Sequence, residues 1–163
     1  MTRQQSAVSQ SHTTLSQLMQ PEHANIMGNV HGGWIMKLVD ETGALAAIRH
    51  ARQRVVTVAI DQMTFKHPIR IGDLIILESE VSYVGNTSIE TEVNVYAENT
   101  ISGERWHTNT AYLVYVALDD NGRPAPVPVL ILENDEQKQR FEDGKQRQAY
   151  RLKQSKKRKA EQQ

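Results

Sequence analysis

Residues 34–51, WIMKLVDETGALAAIRHA, read as a helix with apolar side chains over most of its circumference: Trp34, Ile35, Met36, Leu38, Val39, Leu45 and Ile48. A helix apolar nearly all round is buried rather than laid on a surface. Gly43, Ala44, Ala46 and Ala47 crowd its second half and would let another backbone come close. Arg49 and His50 suit the negative end of the helix dipole. A lone buried helix needs cover on more than one side.

The residues that follow supply that cover. Residues 54–63 (RVVTVAIDQM) are β-branched and nearly continuous. Residues 73–84 alternate, with Ile75, Leu77, Val81 and Tyr83 on one face. Residues 87–98 alternate more cleanly, with Ile89, Val93 and Val95 inward and Glu90, Glu92 and Asn94 outward. Residues 104–118 form a long Tyr/Val/Thr strand. Gly72-Asp73, Gly85-Asn86 and Ser102-Gly103 are turn dipeptides between these runs. Long strands joined by tight turns make an antiparallel meander. The expected class is therefore α+β, a curved antiparallel sheet around one central helix.

The flanks differ from this middle. Residues 1–14 are Gln, Ser and Thr with few apolar side chains, and composition predicts a disordered leader. LSQLMQ (residues 15–20) reads as a short strand or edge segment ending at Pro21. Beyond the turn cluster Asp119-Asp120-Asn121-Gly122, the proline run PAPVPV is extended and leaves the sheet. Residues 133–163 are mostly charged residues and Gln, and predict a lightly packed helical tail. The expected organisation is a leader over 1–14, one domain over 15–132 and the tail over 133–163.

The chain has 163 residues, with 19 Lys+Arg against 19 Asp+Glu. That length suits one domain with its own core. The zero balance hides a split: residues 1–132 hold 9 basic against 13 acidic side chains, and residues 133–163 hold 10 against 6. With no cysteine there is no disulfide framework, thiolate nucleophile or zinc–thiolate site. No apolar run approaches the ~20 residues of a membrane span, and the polar start holds no signal core. A cytoplasmic location without a membrane partner is expected. The basic run from Arg151 to Lys159 lacks aromatic interleaving, so no nucleic-acid partner is expected either.

Several catalytic templates are missing: G-x-S-x-G, H-E-x-x-H, the P-loop and G-x-G-x-x-G. The six histidines lack ligand spacing, and no metal site is expected. What remains is a concentration of polar residues around the helix start. The loop PEHANIMGNVHGG (residues 21–33) carries Asn25, Asn29, His31, Gly32 and Gly33, and Asp40 and Glu41 follow on the helix. Backbone N–H groups of Gly32 and Gly33 at a helix N-terminus suit an anion or a developing oxyanion. Asp40 lies about two turns in, beside Leu38 and Val39. A carboxylate on an apolar surface is costly unless paired, and such groups gather at functional sites. A plain helix-entry turn and a solvated Asp40 at the helix edge remain the alternatives.

These residues carry a resemblance. Leu18 to His50 is similar to the hotdog-fold acyl-CoA thioesterases, nearest the brain-type cytosolic long-chain acyl-CoA hydrolases and their single-domain bacterial relatives. The shared pattern is Asn25, Gly28, His31-Gly32-Gly33 and Asp40-Glu41, followed by Phe65–Ile69 (FKHPI) and Val93–Asn99. The likeness covers about residues 15–153. It implies a hotdog fold, hydrolysis of fatty acyl-CoA thioesters, and CoA as part of the substrate with no required cofactor. It implies a site between paired chains, with Asn25 from one and Asp40 from the other, and often a trimer of such dimers. By resemblance, Asp40 is general base or nucleophile, Asn25 orients water or carbonyl, and the Gly32 and Gly33 amides hold the oxyanion. Pantetheine would run near Thr57 and Val58, close to the turn with Asn86, Thr87 and Ser88, which otherwise reads as a plain hairpin. A hotdog hydratase and a non-catalytic acyl-CoA binder are the rival readings.

Overall fold

The computed structural model describes residues 3–161. Helix α2 (Gly32–Ala51) is the centre of the molecule. Around it curls a five-stranded antiparallel sheet in the order β2-β4-β5-β6-β3. Its strands are β2 (Thr13–Leu18), β3 (Arg54–Ile60), β4 (Asp73–Val84), β5 (Ser88–Asn99) and β6 (Arg105–Leu118). The meander expected from the turn dipeptides is β4-β5-β6. Ile35, Leu38 and Val39 of α2 meet Ile75, Leu77, Ile89, Val93, Val95, Leu113 and Ala117 of the sheet, and all are buried. At Gly43 a Cβ would lie 2.6 Å from the Tyr115 hydroxyl and 2.8 Å from Thr91 Oγ1, so only glycine lets helix and sheet approach this closely.

Three expectations need correction. The leader is ordered from residue 3 onward; residues 1 and 2 lie outside the described residues. Gln5–Ala7 (β1) pairs in parallel with Val129–Ile131 (β7), and a single turn, α1 (Val8–Ser11), follows. Val8 and Ser11 are buried there, and Ser11 Oγ accepts from the Val81 N–H. Composition missed this because one buried valine and a strand partner 124 residues away do the ordering. Tyr83 is on the opposite face from Ile75, Leu77 and Val81. A bulge between Val81 and Tyr83 inserts Ser82 and flips the alternation.

The third correction concerns the tail. Helix α3 (Asp135–Glu161) lies across the outer face of the sheet, where Phe141 packs on Tyr83 at 4.9 Å. Glu90 and Glu92 do point outward, but α3 covers them. Arg147 Nη2 donates to Glu90 Oε1 at 2.8 Å, Arg151 reaches both Glu90 and Asp61, and Arg140 pairs with Glu80 at 2.9 Å. The basic excess of the tail thus meets the acidic excess of the body within one chain.

Candidate active site

The loop before α2 is built on Asn25. Its Oδ1 accepts the N–H groups of Met27 (2.9 Å) and Asn29 (3.2 Å), and the Asn25 N–H donates to the Asn29 carbonyl at 2.7 Å. The tight turn places Gly28 at φ +78°, a conformation that favours glycine. The amide Nδ2 of Asn25 has no hydrogen-bond partner among the described residues. Val30 donates to the Ile69 carbonyl and His31 to the His23 carbonyl, so the loop is stitched to its neighbours on both sides. His23 is buried and stacks on Trp34 with centroids 4.2 Å apart.

His31 is the N-cap of α2. Its Nδ1 accepts from the Gly33 N–H at 2.9 Å, and its carbonyl accepts from the Trp34 N–H. A ring nitrogen that accepts carries no proton, so the neutral ring is protonated at Nε2. The Gly33 amide is therefore engaged, while the Gly32 amide has no partner among the described residues. Phe65, half exposed, stands against Gly32, its ring 3.6 Å from where a Cβ would be.

Asp40 is two turns further along, half-buried between α2 and the sheet. Its Oδ1 accepts from Thr57 Oγ1 of β3 at 2.8 Å and from the Tyr115 hydroxyl of β6 at 3.2 Å. The same hydroxyl lies 3.0 Å from the Asp40 main-chain carbonyl. Oδ2 accepts no hydrogen bond among the described residues. Burial, and then the neighbouring Asp40 charge, push the Tyr115 hydroxyl well above its ordinary pKa, so it is a donor across the working pH range.

The structure thus unites Asp40 with Thr57, and places Gly32 and Gly33 about two turns away on the same helix. It does not join Asn25 to Asp40: no hydrogen bond links them within the described chain. Val58 is the bulged residue of the edge strand β3 and is exposed. Asn86, Thr87 and Ser88 form a hairpin turn whose main chain is largely committed. Gly85 donates to the Ser88 carbonyl, Ala117 to Thr87 and Val127 to Asn86, with the Arg3 guanidinium on the Gly85 and Asn86 carbonyls. Sequence reasoning does not single out Tyr115. Its signal is present in the period of β6, which puts Leu113, Tyr115 and Ala117 on the helix side opposite the small residues of α2.

Comparison with known proteins decides the family. Residues 27–104 match the thioesterase superfamily. The acyl-CoA thioester hydrolase YciA of Salmonella typhimurium is 36% identical over 123 residues, covering 74% of this chain and 92% of that one. The chain belongs to the thioesterase superfamily. The cytosolic acyl coenzyme A thioester hydrolase of Rattus norvegicus is 38% identical over 142 residues, 86% of this chain. This thioesterase-superfamily chain spans 37% of the length of the rat, mouse and human proteins of that name. An apo-hexameric acyl-CoA thioesterase superposes with a TM-score of 0.88 at 36% identity, covering 93% of this chain and 97% of that one. The Staphylococcus aureus acyl-CoA hydrolase, solved with butyryl coenzyme A, coenzyme A and coenzyme A disulfide, gives 0.85 at 29% identity, with 98% and 99% covered. The curled sheet around one helix is accordingly the hotdog fold of these thioesterases.

Proposed function

We propose that the protein hydrolyses fatty acyl-CoA thioesters to the free acid and CoA. The observation that carries this is a carboxylate, Asp40, held by Thr57 on the helix of a thioesterase-superfamily fold. Asp40 takes a proton from water as the water oxygen attacks the thioester carbonyl, or attacks that carbon itself. The Gly32 amide, at the positive end of α2, stabilises the oxyanion; the Gly33 amide joins it when His31 releases it. In the first route the C–S bond then breaks and the proton passes from Asp40 to the CoA sulfur. In the second the C–S bond breaks to leave an acyl–Asp40 anhydride and the CoA thiolate, and water hydrolyses the anhydride to the free acid and Asp40 carboxylate, giving up a proton to the sulfur.

Asn25 acts from a partner subunit, its unpartnered Nδ2 orienting water or carbonyl. The Staphylococcus aureus enzyme has been solved with alanine replacing an Asn, an Asp and a Thr, at the fifteen- and seventeen-residue spacings that separate Asn25, Asp40 and Thr57. That match supports grouping the three. Pantetheine lies along Thr57 and Val58, with the side chains of Asn86, Thr87 and Ser88 at its outer part; no resident cofactor or metal is needed. The exposed edge strand β3 pairs with its copy in a homodimer, and three dimers assemble, in keeping with the hexameric thioesterases. No described helix is long and apolar enough to cross a membrane, which fits the proposed cytoplasmic location.

Asp40→Ala and Asn25→Ala should each lower kcat about a hundredfold or more, since positioned acid–base groups contribute ~10²–10⁴. Free-thiol release measures this, and an enoyl-hydration assay run alongside separates a hydratase. A folded Asp40→Ala protein with unchanged kcat overturns the assignment. Mixing the two variants under subunit exchange should restore part of the activity.

A further inference from the structure

We infer that Tyr115 is a positioning residue for thioester cleavage: with Thr57 it holds Oδ1 of Asp40, leaving Oδ2 as the reacting oxygen. The inference rests on the reading of Asp40 proposed above. Its ground is the unequal treatment of the two carboxylate oxygens. Oδ1 accepts from the Thr57 hydroxyl of β3 at 2.8 Å and shares the single proton of the Tyr115 hydroxyl of β6, 3.2 Å away, with the Asp40 main-chain carbonyl. Oδ2 accepts from neither, nor from any other described residue. An oxygen already taking one full and one shared hydrogen bond has weakened basicity, and its lone pairs are directed at the donors. The other oxygen keeps its lone pairs for a water proton or a carbonyl carbon. Two donors on one oxygen also stop the carboxylate from rotating about its Cβ–Cγ bond.

Tyr115 is suited to this work. It is fully buried on the helix side of β6, so its ring cannot swing away. Its hydroxyl also reaches the Asp40 main-chain carbonyl at 3.0 Å, which ties side chain and backbone of the same residue to one anchor. The space for that hydroxyl exists because residue 43, one turn after Asp40, is glycine: a Cβ there would sit 2.6 Å from the oxygen. Gly43 is thus part of the same device, and not a wall chosen only for packing.

The test is steady-state kinetics of Tyr115→Phe with an acyl-CoA substrate, beside Asp40→Asn and the double variant. Phe keeps the ring and removes one oxygen. The expected result is a fall in kcat of about ten- to a hundredfold with KM and melting temperature nearly kept, as misplacing a catalytic group does. In the Asp40→Asn background the same change should bring no further loss. Native kcat in folded Tyr115→Phe, with Asp40→Asn inactive, overturns the positioning role alone. An active Asp40→Asn overturns the underlying reading instead. Equal, additive losses in both backgrounds mark a purely structural tyrosine and also overturn the proposal. If Tyr115→Phe does not fold, Gly43→Ala keeps the ring and displaces its hydroxyl, and a native kcat there overturns the positioning role in the same way.

Discussion

Single residues show what the sequence makes visible at the site and what it hides. Asp40 stands out because a carboxylate on an apolar helix demands an explanation. Tyr115 does not, because a tyrosine in a strand needs none; its meaning comes from a contact 75 residues away. Gly33 lies at the helix start as expected, but its amide, expected to face substrate, is already taken by the His31 ring. His50 shows the same dependence on context. It reads as a helix C-terminal cation, yet it is buried, with Nε2 donating to the Pro128 carbonyl at 3.0 Å and Nδ1 without a partner. Burial, against the opposing Pro128 bond, lowers its pKa below the ordinary 6.5. As pH falls past that value the unfolded chain takes up a proton that the folded chain refuses. The stability due to neutral His50 is therefore complete above pH 6.5 and is lost as pH falls through the lower, folded-state value. Urea unfolding at pH 8 and pH 5 should show this loss, and His50→Gln should remove its share.

Among the elements, those with a strong period are readable and those ordered by distant partners are not. Helix α2 and strands β4, β5 and β6 lie within a residue or two of their expected bounds, since burial of one face sets the period. Strand β3 stops at Ile60, short of residue 63, where Asp61 turns to Arg151. Helix α3 is expected from its composition, but its grip on the sheet is not, because a run of charges looks the same whether its partner is water or a buried carboxylate. The Glu90 side chain is 1% exposed, with Arg147, Arg151 and the Ser82 hydroxyl around it. Its neighbour Arg147 also lies 3.7 Å above the Tyr112 ring. Removing both guanidiniums strands a buried charge. Arg147→Met with Arg151→Met should cost about 3–5 kcal/mol in chemical denaturation, and adding Glu90→Gln should return much of it. Equal stability of the double variant and the parent would show that the two guanidiniums on Glu90 add nothing to the fold.

For the whole molecule, the feature of the surface that asks for a partner is the edge of the sheet. Strand β3 has a partner on one side only, and Val56, Val58 and Ile60 on it are 43%, 54% and 40% exposed. A long apolar edge invites another strand. Under the proposed dimer, that edge brings Asn25 of one chain to Asp40 of the other, so assembly and activity are one property. Val58→Lys should shift the species seen by analytical ultracentrifugation toward the monomer and abolish turnover together. A monomer with native kcat would mean that each chain holds a complete site. The zero net charge takes on a different meaning from this vantage. Arg140, Arg147 and Arg151 neutralise carboxylates of the body, and Lys153, Lys156, Lys157, Arg158 and Lys159 are left exposed beyond them. Under the proposed function, an anionic substrate would then be met by local amides and a few side chains rather than by a field of the whole chain.

The ribbon of β1 and β7 has a mechanical corollary. Its strands run parallel, pairing Gln5 with Val129 and Ala7 with Ile131. A pull on the start of the chain acts at the Gln5 end, and a pull from the far end, once α3 has let go, acts at the Ile131 end. The bonds between them are then loaded side by side, in shear, instead of being peeled one after another. Arg3, bonded to the Val127 carbonyl just before β7, adds a rivet at the loaded end. The stretch whose composition looks least structured is where the two ends of this fold are fastened.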